Sequence, residues 1–203
     1  MIKVAIIGPI GSGKSEVLRI CSDMELPTIS SDHIAKLLME LPGAAHDSIL
    51  QEFGSKFAME SNPTRIDRHK LGEYVFTNPD RLKVLEDIIH PHVWQLATAF
   101  FMECETKGEK ICFVEVTAPS ESISHFFDEM LFVDTPFEIR KQRCLDRGMS
   151  EEDFKMRDAY QAQHFNYQIV TTKTVKNDSS VEDLEEKLKF VVGNISERDI
   201  NSV

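Results

Sequence analysis

Gly8-Pro9-Ile10-Gly11-Ser12-Gly13-Lys14-Ser15 is the stretch that decides the fold. Ahead of it runs Lys3-Val4-Ala5-Ile6-Ile7, short, apolar and rich in β-branched residues, the composition of a strand buried on both faces. Behind it, Val17, Leu18, Ile20 and Cys21 recur at helical spacing within Lys14–Met24. A glycine-rich turn between a strand and a helix fits G-x-x-x-x-G-K-[ST]. The spacing has a chemical reason. Glycines let the backbone curl with its N–H groups facing inward, a nest for an anion, and the helix N-terminus adds partial positive charge. Lys14 can then reach the β- and γ-phosphates of a nucleotide, and the Ser15 hydroxyl is placed to ligate Mg²⁺. Gly8, Gly11, Ser12, Gly13, Lys14, Ser15 and the adjoining Glu16 are therefore the expected nucleotide site, with a nucleoside triphosphate and Mg²⁺ as its contents. Pro9 and Ile10 have no evident polar role.

Working outward, strands and helices alternate. A second strand is expected at Thr28–Ser30, then a helix through Leu38 that Asp32 can cap. The stretch from Gly43 to Lys107 reads as helices: Ala44–Phe53, Arg68–Phe76 capped by Asp67, Asp80–Ile89, and a further long helix with Pro91 in its first turn. Strand character returns at Lys110–Val116 and Met130–Val133, followed by helices over Pro136–Asp146 and Ser150–Gln163. A last strand is expected at Lys173–Lys176. Ser179-x-x-Glu182 has the form of a capping box, opening a helix to about Val191, with a frayed tail from Ser196. The class is α/β, and the chain is read as one domain. Its core covers about 1–36 and 108–195, a helical lobe about 37–107, and a lid about 148–172.

Composition narrows the partners. Of 203 residues, 41% are hydrophobic and 28% charged, an ordinary globular balance. A net charge of −11 repels phosphate backbones, which argues against nucleic acid and requires any anionic ligand to find a local positive pocket. Apolar runs are too short to cross a bilayer, and the N-terminus lacks the layout of a signal peptide, so a cytoplasmic chain without a membrane partner is expected. Cys21, Cys104, Cys112 and Cys144 form no metal-binding spacing and read as buried, reduced thiols. Small molecules are the expected partners, and a monomer the expected state.

The loop motif is shared by GTPases, ATPases and kinases. No N-K-x-D segment for guanine follows it. Glu115 and Asp134, each at a strand end, are alternatives for a carboxylate touching Mg²⁺ through water. Arg143 and Arg147 lie one helical turn apart and are either a phosphate clamp or solvated charge.

With these residues in place the chain resembles the dephospho-coenzyme A kinases over roughly Ile2 to Leu188. Besides the loop, Ser30-Ser31-Asp32-His33-Ile34-Ala35-Lys36 is similar to the family's D-A-D-x-I-A-R. Arg68–Phe76 is similar to R-R-x-L-R-E-x-V-F, and Leu85–Pro91 to L-E-x-I-x-H-P. The stretch from Val133 to Arg143 and Arg147 is similar to V-D-x-P-x-x-x-Q-x-x-R, and Asn177–Ser180 to N-D-G-S. The resemblance implies a P-loop kinase of the adenylate-kinase type, a parallel sheet flanked by helices with a helical substrate-binding lobe and a lid. It implies transfer of the γ-phosphoryl of ATP to the 3′-hydroxyl of dephospho-coenzyme A. It makes Asp32 the base, with Lys14 and Arg143 as catalytic partners, Arg143, Arg147 and Asn177 on the nucleotide, and Arg68 and His90 on the acceptor. Read without the family, His90 is a buried structural histidine.

Departures accompany the match. Ser30 stands where the motif has its first aspartate, and His69 and Gly72 where it has arginines. Val116–Glu121 differs from V-P-L-L-F-E, and after Gln161 the lid arginines are replaced by His164 and Tyr167. Another small-metabolite or nucleoside kinase, and a nucleotide-binding regulator without catalysis, therefore stay open as alternatives.

Overall fold

The computed structural model describes residues 1–119 and 121–200. In chain order the elements are β1 (Ile2–Ile7), α1 (Lys14–Asp23), β2 (Thr28–Ser30), α2 (Ser31–Glu40), α3 (Ala44–Phe53), a 3₁₀ turn (Ser55–Phe57), β3 (Ala58–Met59), β4 (Asn62–Ile66), α4 (Arg68–Phe76) and α5 (Pro79–Thr106). They continue with β5 (Ile111–Glu115), α6 (Glu121–Ser124), β6 (Glu129–Asp134), α7 (Phe137–Asp146), α8 (Glu151–His164), α9 (Tyr167–Val170), β7 (Lys173–Lys176) and α10 (Val181–Ile200). Two compact units divide at Ser30/Ser31 and Phe100/Phe101.

The first unit, Met1–Ser30 with the chain from Phe101 onward, holds a five-stranded sheet in the order β2-β5-β1-β6-β7, every neighbouring pair parallel. Parallel strands covered on both faces need no polar alternation, and Val4 to Ile7 and all of β5 are accordingly buried. Val4, Ile6, Val17, Ile20, Phe113, Leu131, Leu184 and Leu188 share one core cluster, with α1 and α10 in mutual contact. The order reverses at β1, with β5 and β2 on one side and β6 and β7 on the other. Ligands of open α/β sheets sit at the carboxyl end of such a switch point, and Gly8–Gly13 leaves β1 there.

The second unit, Ser31–Phe100, contains a hairpin that the sequence reading had as helix or connection. In it β3 and β4 pair antiparallel, Ala58 opposite Ile66. Four of the five residues of β4 are exposed, so no apolar alternation marks the strand. Its last residue, Ile66, is buried, as are Phe53, Phe57 and Leu71. The rings of Phe53, Phe57 and Tyr74 pack with centroids 5.3–6.5 Å apart. Asp67 caps α4 as expected, accepting from the Lys70 backbone N–H at 3.0 Å.

Three helix boundaries correct the sequence reading. Pro91 lies inside α5, which runs unbroken from Pro79 to Thr106. Leu82, Leu85, Ile89, Val93, Ala97, Phe101 and Cys104 are buried at steps of three and four, so one apolar stripe passes through the proline and holds the helix together. In α2, Asp32 is the second helical residue and not the cap; it pairs with Lys36 at 2.5 Å. In α10 the capping serine is Ser180, whose Oγ accepts from the Asp183 N–H at 3.3 Å, one residue later than the expected box. The helix then continues to Ile200, past the expected end at Val191 and through the expected fraying. Of the altered 116–121 stretch, Ser120 falls outside the described residues, as do the last three residues of the expected tail.

Candidate active site

The loop after β1 is built as the glycine pattern requires. Gly11 and Gly13 take φ of 76° and 94°, a region that L side chains rarely adopt. A Cβ at Gly11 would collide with the Arg140 carbonyl, and one at Gly13 with the Asn177 carboxamide. Glycine is therefore needed twice, for conformation and for the close approach of neighbours. Lys14, mostly buried at the start of α1, turns its ammonium back into the loop, donating to the carbonyls of Gly8 at 2.8 Å and Pro9 at 3.3 Å.

One carbonyl organises the far side. Ser12 O accepts from Thr135 Oγ1 at 2.8 Å, from Asn177 Nδ2 at 2.8 Å and from Arg143 Nη1 at 3.4 Å. Arg143 Nη2 also reaches Asn177 Oδ1 at 3.1 Å. Residues from the β6–α7 turn, α7 and the end of β7 thus meet on the loop. Burial pulls the Arg143 pKa below its ordinary value, and the like charge of Arg147 adds to the effect. Arg147 ends α7 and is exposed. Glu16 bonds to Arg19 at 2.7 Å, and this bond, with the field of Arg143 and Arg147, lowers its pKa.

A second set of residues, given no role by the sequence reading, grips Ile10. Arg140 Nη1 donates to Ile10 O at 3.2 Å, and Gln161 Oε1 accepts from Ile10 N at 2.7 Å. Arg140 is itself buried and pairs with Asp158 of α8 at 2.5 Å. Arg140 lies three residues before Arg143, a spacing that shows a shared helix face and says nothing of what the face touches.

Of the two candidate carboxylates, only Glu115 reaches the loop. Its Oε1 accepts from Ser15 Oγ at 3.0 Å and its Oε2 from Ser30 Oγ at 2.8 Å. Asp134 offers its backbone carbonyl to Asn177 N at 2.8 Å. Ser15 is exposed while Glu115 is buried. An exposed hydroxyl leaning on a carboxylate is a set of hard oxygen donors of the kind Mg²⁺ takes.

The remaining predicted residues belong to the second unit. Asp32 is half exposed in the first turn of α2. Arg68 pairs with Glu40 at 3.3 Å beside an open groove lined by Arg65, Asp67 and His69. His90 is exposed on α5, so the reading of a buried structural histidine is wrong. Of the residues that stand where the motif has arginines after Gln161, His164 stacks on Tyr160 with ring centroids 4.1 Å apart, and the Tyr167 ring packs on Phe132 at 5.4 Å.

Comparison with known proteins decides the family. A family model described as dephospho-CoA kinase matches residues 2–183. The chain belongs to the dephospho-CoA kinase family. A dephospho-CoA kinase of Streptomyces avermitilis is 31% identical over 98% of this chain and 96% of its own. The crystal structure of a Thermus thermophilus protein superposes with a TM-score of 0.76 at 29% identity, covering 95% of this chain and 97% of that one. A dephospho-CoA kinase structure from Campylobacter jejuni gives 0.69 at 24% identity over 97% and 98%, which supports the P-loop kinase fold. As a member of this family of ATP-dependent kinases, the chain has its loop at the expected place, and none of its described helices is long and apolar enough to cross a membrane.

Proposed function

We propose that this chain is a dephospho-CoA kinase, transferring the γ-phosphoryl of ATP to the 3′-hydroxyl of dephospho-CoA. The observation that carries the reading is a complete phosphate loop in a chain matched to that family over residues 2–183. The loop N–H groups and Lys14 hold the β- and γ-phosphates. Arg143, steadied by Asn177, adds positive charge where negative charge spreads in a loose transition state. Ser15 would hold Mg²⁺, whose charge when bound neutralises that of the phosphates.

Asp32 is assigned as the base through its motif. It orients the acceptor hydroxyl and takes its proton as the new O–P bond forms and the bond to the ADP oxygen breaks. Arg68 and His90 are assigned to the acceptor, and Arg147 and Glu16 to the surroundings of the nucleotide. The division into a core, a lobe at about 37–107 and a lid at about 148–172 accompanies this reading, with a monomer acting in the cytoplasm on small molecules.

A coupled assay with ATP, Mg²⁺ and dephospho-CoA tests it, against nucleosides, sugars and shikimate as rival acceptors. Turnover is expected with dephospho-CoA above all others. A second reading, a nucleotide-binding regulator, draws on one observation: neither His164 nor Tyr167 offers the lid a permanent cation. ATP binding without transfer to any acceptor would select it.

A further inference from the structure

Pro9 and Ile10 carry no polar side chain, yet the peptide that joins them is held at both ends. On one side Ile10 N–H donates to Gln161 Oε1 at 2.7 Å. On the other, Pro9 O accepts from Ser12 N at 3.1 Å and from the Lys14 ammonium at 3.3 Å. A trans peptide is planar, with its N–H and C=O pointing opposite ways, and among the described residues no peptide bond is cis. A hold on one end therefore sets the direction of the other. Ile10 N can only donate, so the Gln161 carboxamide has to meet it oxygen first. The next peptide is fixed in the same manner. Arg140 Nη1 draws Ile10 O toward α7 at 3.2 Å, which aims Gly11 N–H the other way. Asp158 holds Arg140 at 2.5 Å and stands three residues before Gln161, on the same face of α8. One helix thus orients two successive peptide planes of the phosphate loop.

We propose that Gln161 is a positioning residue for phosphoryl transfer and that it acts through Lys14. By keeping the Pro9–Ile10 peptide with its carbonyl on the side of the lysine, it gathers the ammonium beside the nest before ATP arrives. The plane can turn through two soft dihedrals, ψ of Pro9 and φ of Ile10. Turned over, it would set Ile10 N–H against the ammonium, donor against cation, and take Pro9 O from Lys14 and Ser12 alike. Of its two loop carbonyls Lys14 would then keep Gly8 O, at 2.8 Å. Reordering the charge would fall to the moment of reaction, a cost that preorganised donors avoid.

The inference rests on the nucleotide reading above, and ATP affinity measured without an acceptor tests it. Calorimetry is run on the wild type, Gln161→Met, Lys14→Ala and the double variant. Methionine keeps the length of the side chain and removes the hydrogen-bond acceptor. Gln161→Met is expected to weaken ATP binding roughly 3–10-fold, the scale of one hydrogen bond. On the Lys14→Ala background the same change is expected to do nothing, since residues that act through one another are not additive. A role in the fold alone would give the same loss on both backgrounds. Gln161 is half-buried. Should Gln161→Met fail to fold, Gln161→Asn, with its carboxamide drawn back by one methylene, takes its place in the cycle. Unchanged ATP affinity in the Gln161 variant overturns the proposal, as do losses that add. Wild-type ATP affinity in Lys14→Ala overturns the nucleotide reading and this inference with it. A non-additive cycle in a protein that does not phosphorylate dephospho-CoA removes the acceptor assignment and leaves this one standing.

Discussion

Asn177 Nδ2 donates to Ser12 O at 2.8 Å, joining two residues 165 positions apart in the chain. Both partners are buried, so the bond is shielded from water. Asn177→Ala leaves the Arg143 guanidinium with a weaker hold and Ser12 O with one donor fewer. A loss of about 1–3 kcal/mol in unfolding free energy is expected for a buried hydrogen-bond partner. Denaturant unfolding measures it, and an unchanged midpoint together with unchanged ATP affinity counts against Asn177 as an anchor of the phosphate loop.

Lys14 already sits among loop carbonyls that polarise its ammonium toward the nest. Lys14→Ala is expected to lower turnover by about 10²–10³, the scale of removing one preorganised donor from a transition state, and to weaken ATP binding. Calorimetry and the coupled assay check both, and retention of both at wild-type level contradicts the site.

Asp32→Asn removes the carboxylate proposed as the base and leaves the phosphate loop untouched. Turnover with dephospho-CoA should fall by about 10²–10⁴, the range for losing a general base, while ATP affinity stays as it was. A parallel fall in ATP affinity assigns Asp32 to the nucleotide instead.

The Arg140–Asp158 pair is largely buried, with side-chain exposures of 10% and 19%. Asp158→Ala strands a guanidinium beneath Ile10, and about 3–5 kcal/mol of stability should be lost, as when one member of a buried pair is removed. Arg140→Met/Asp158→Leu should recover most of it. If the double variant is as unstable as the single, the charge pairing is not what Asp158 contributes.

All four cysteines are buried, and burial pushes the thiols of Cys21 and Cys112 up to about 12. Thiolate is therefore scarce at pH 8, and alkylation should occur only on unfolding. The sign is definite. Unfolded thiols lose their protons near 9.0 while the folded ones keep them to about 12, so stability should decline as pH rises across that window. Prompt labelling of the native protein at pH 8 refutes this.

Local rules carried well where the structure is local. The phosphate loop, the Asp67 cap and α3 could be read from neighbours in the chain because their chemistry is settled within a few residues. Pro91 misled because the breaker rule is local, while the stripe from Leu82 to Cys104 that overrules it spans six turns. The hairpin at Ala58–Ile66 escaped because an exposed strand carries no alternation. Glu115 and Asp134 looked alike as strand ends. Strand order separates them: β5 brings its last residue against Ser30 and within reach of Ser15, and order is a property of the whole sheet. Arg140 and Asp158 belong to the same class, meaningful only once α7 and α8 are packed.

The central place of β1 has a cost during synthesis. Its partners start at Ile111 and Glu129, and the loop it carries is not tied down until Asn177 arrives. At translation speeds of about 5–20 residues per second, the segment Val4–Ile7 waits for roughly five to twenty seconds as an unpaired apolar strand before β5 is made. Such a strand is a template for pairing with other chains. Nascent chains stopped before β7 should accordingly bind no ATP and depend on chaperones to stay in solution, and the nucleotide site, though its loop follows the first strand, is completed only once Asn177 has been made.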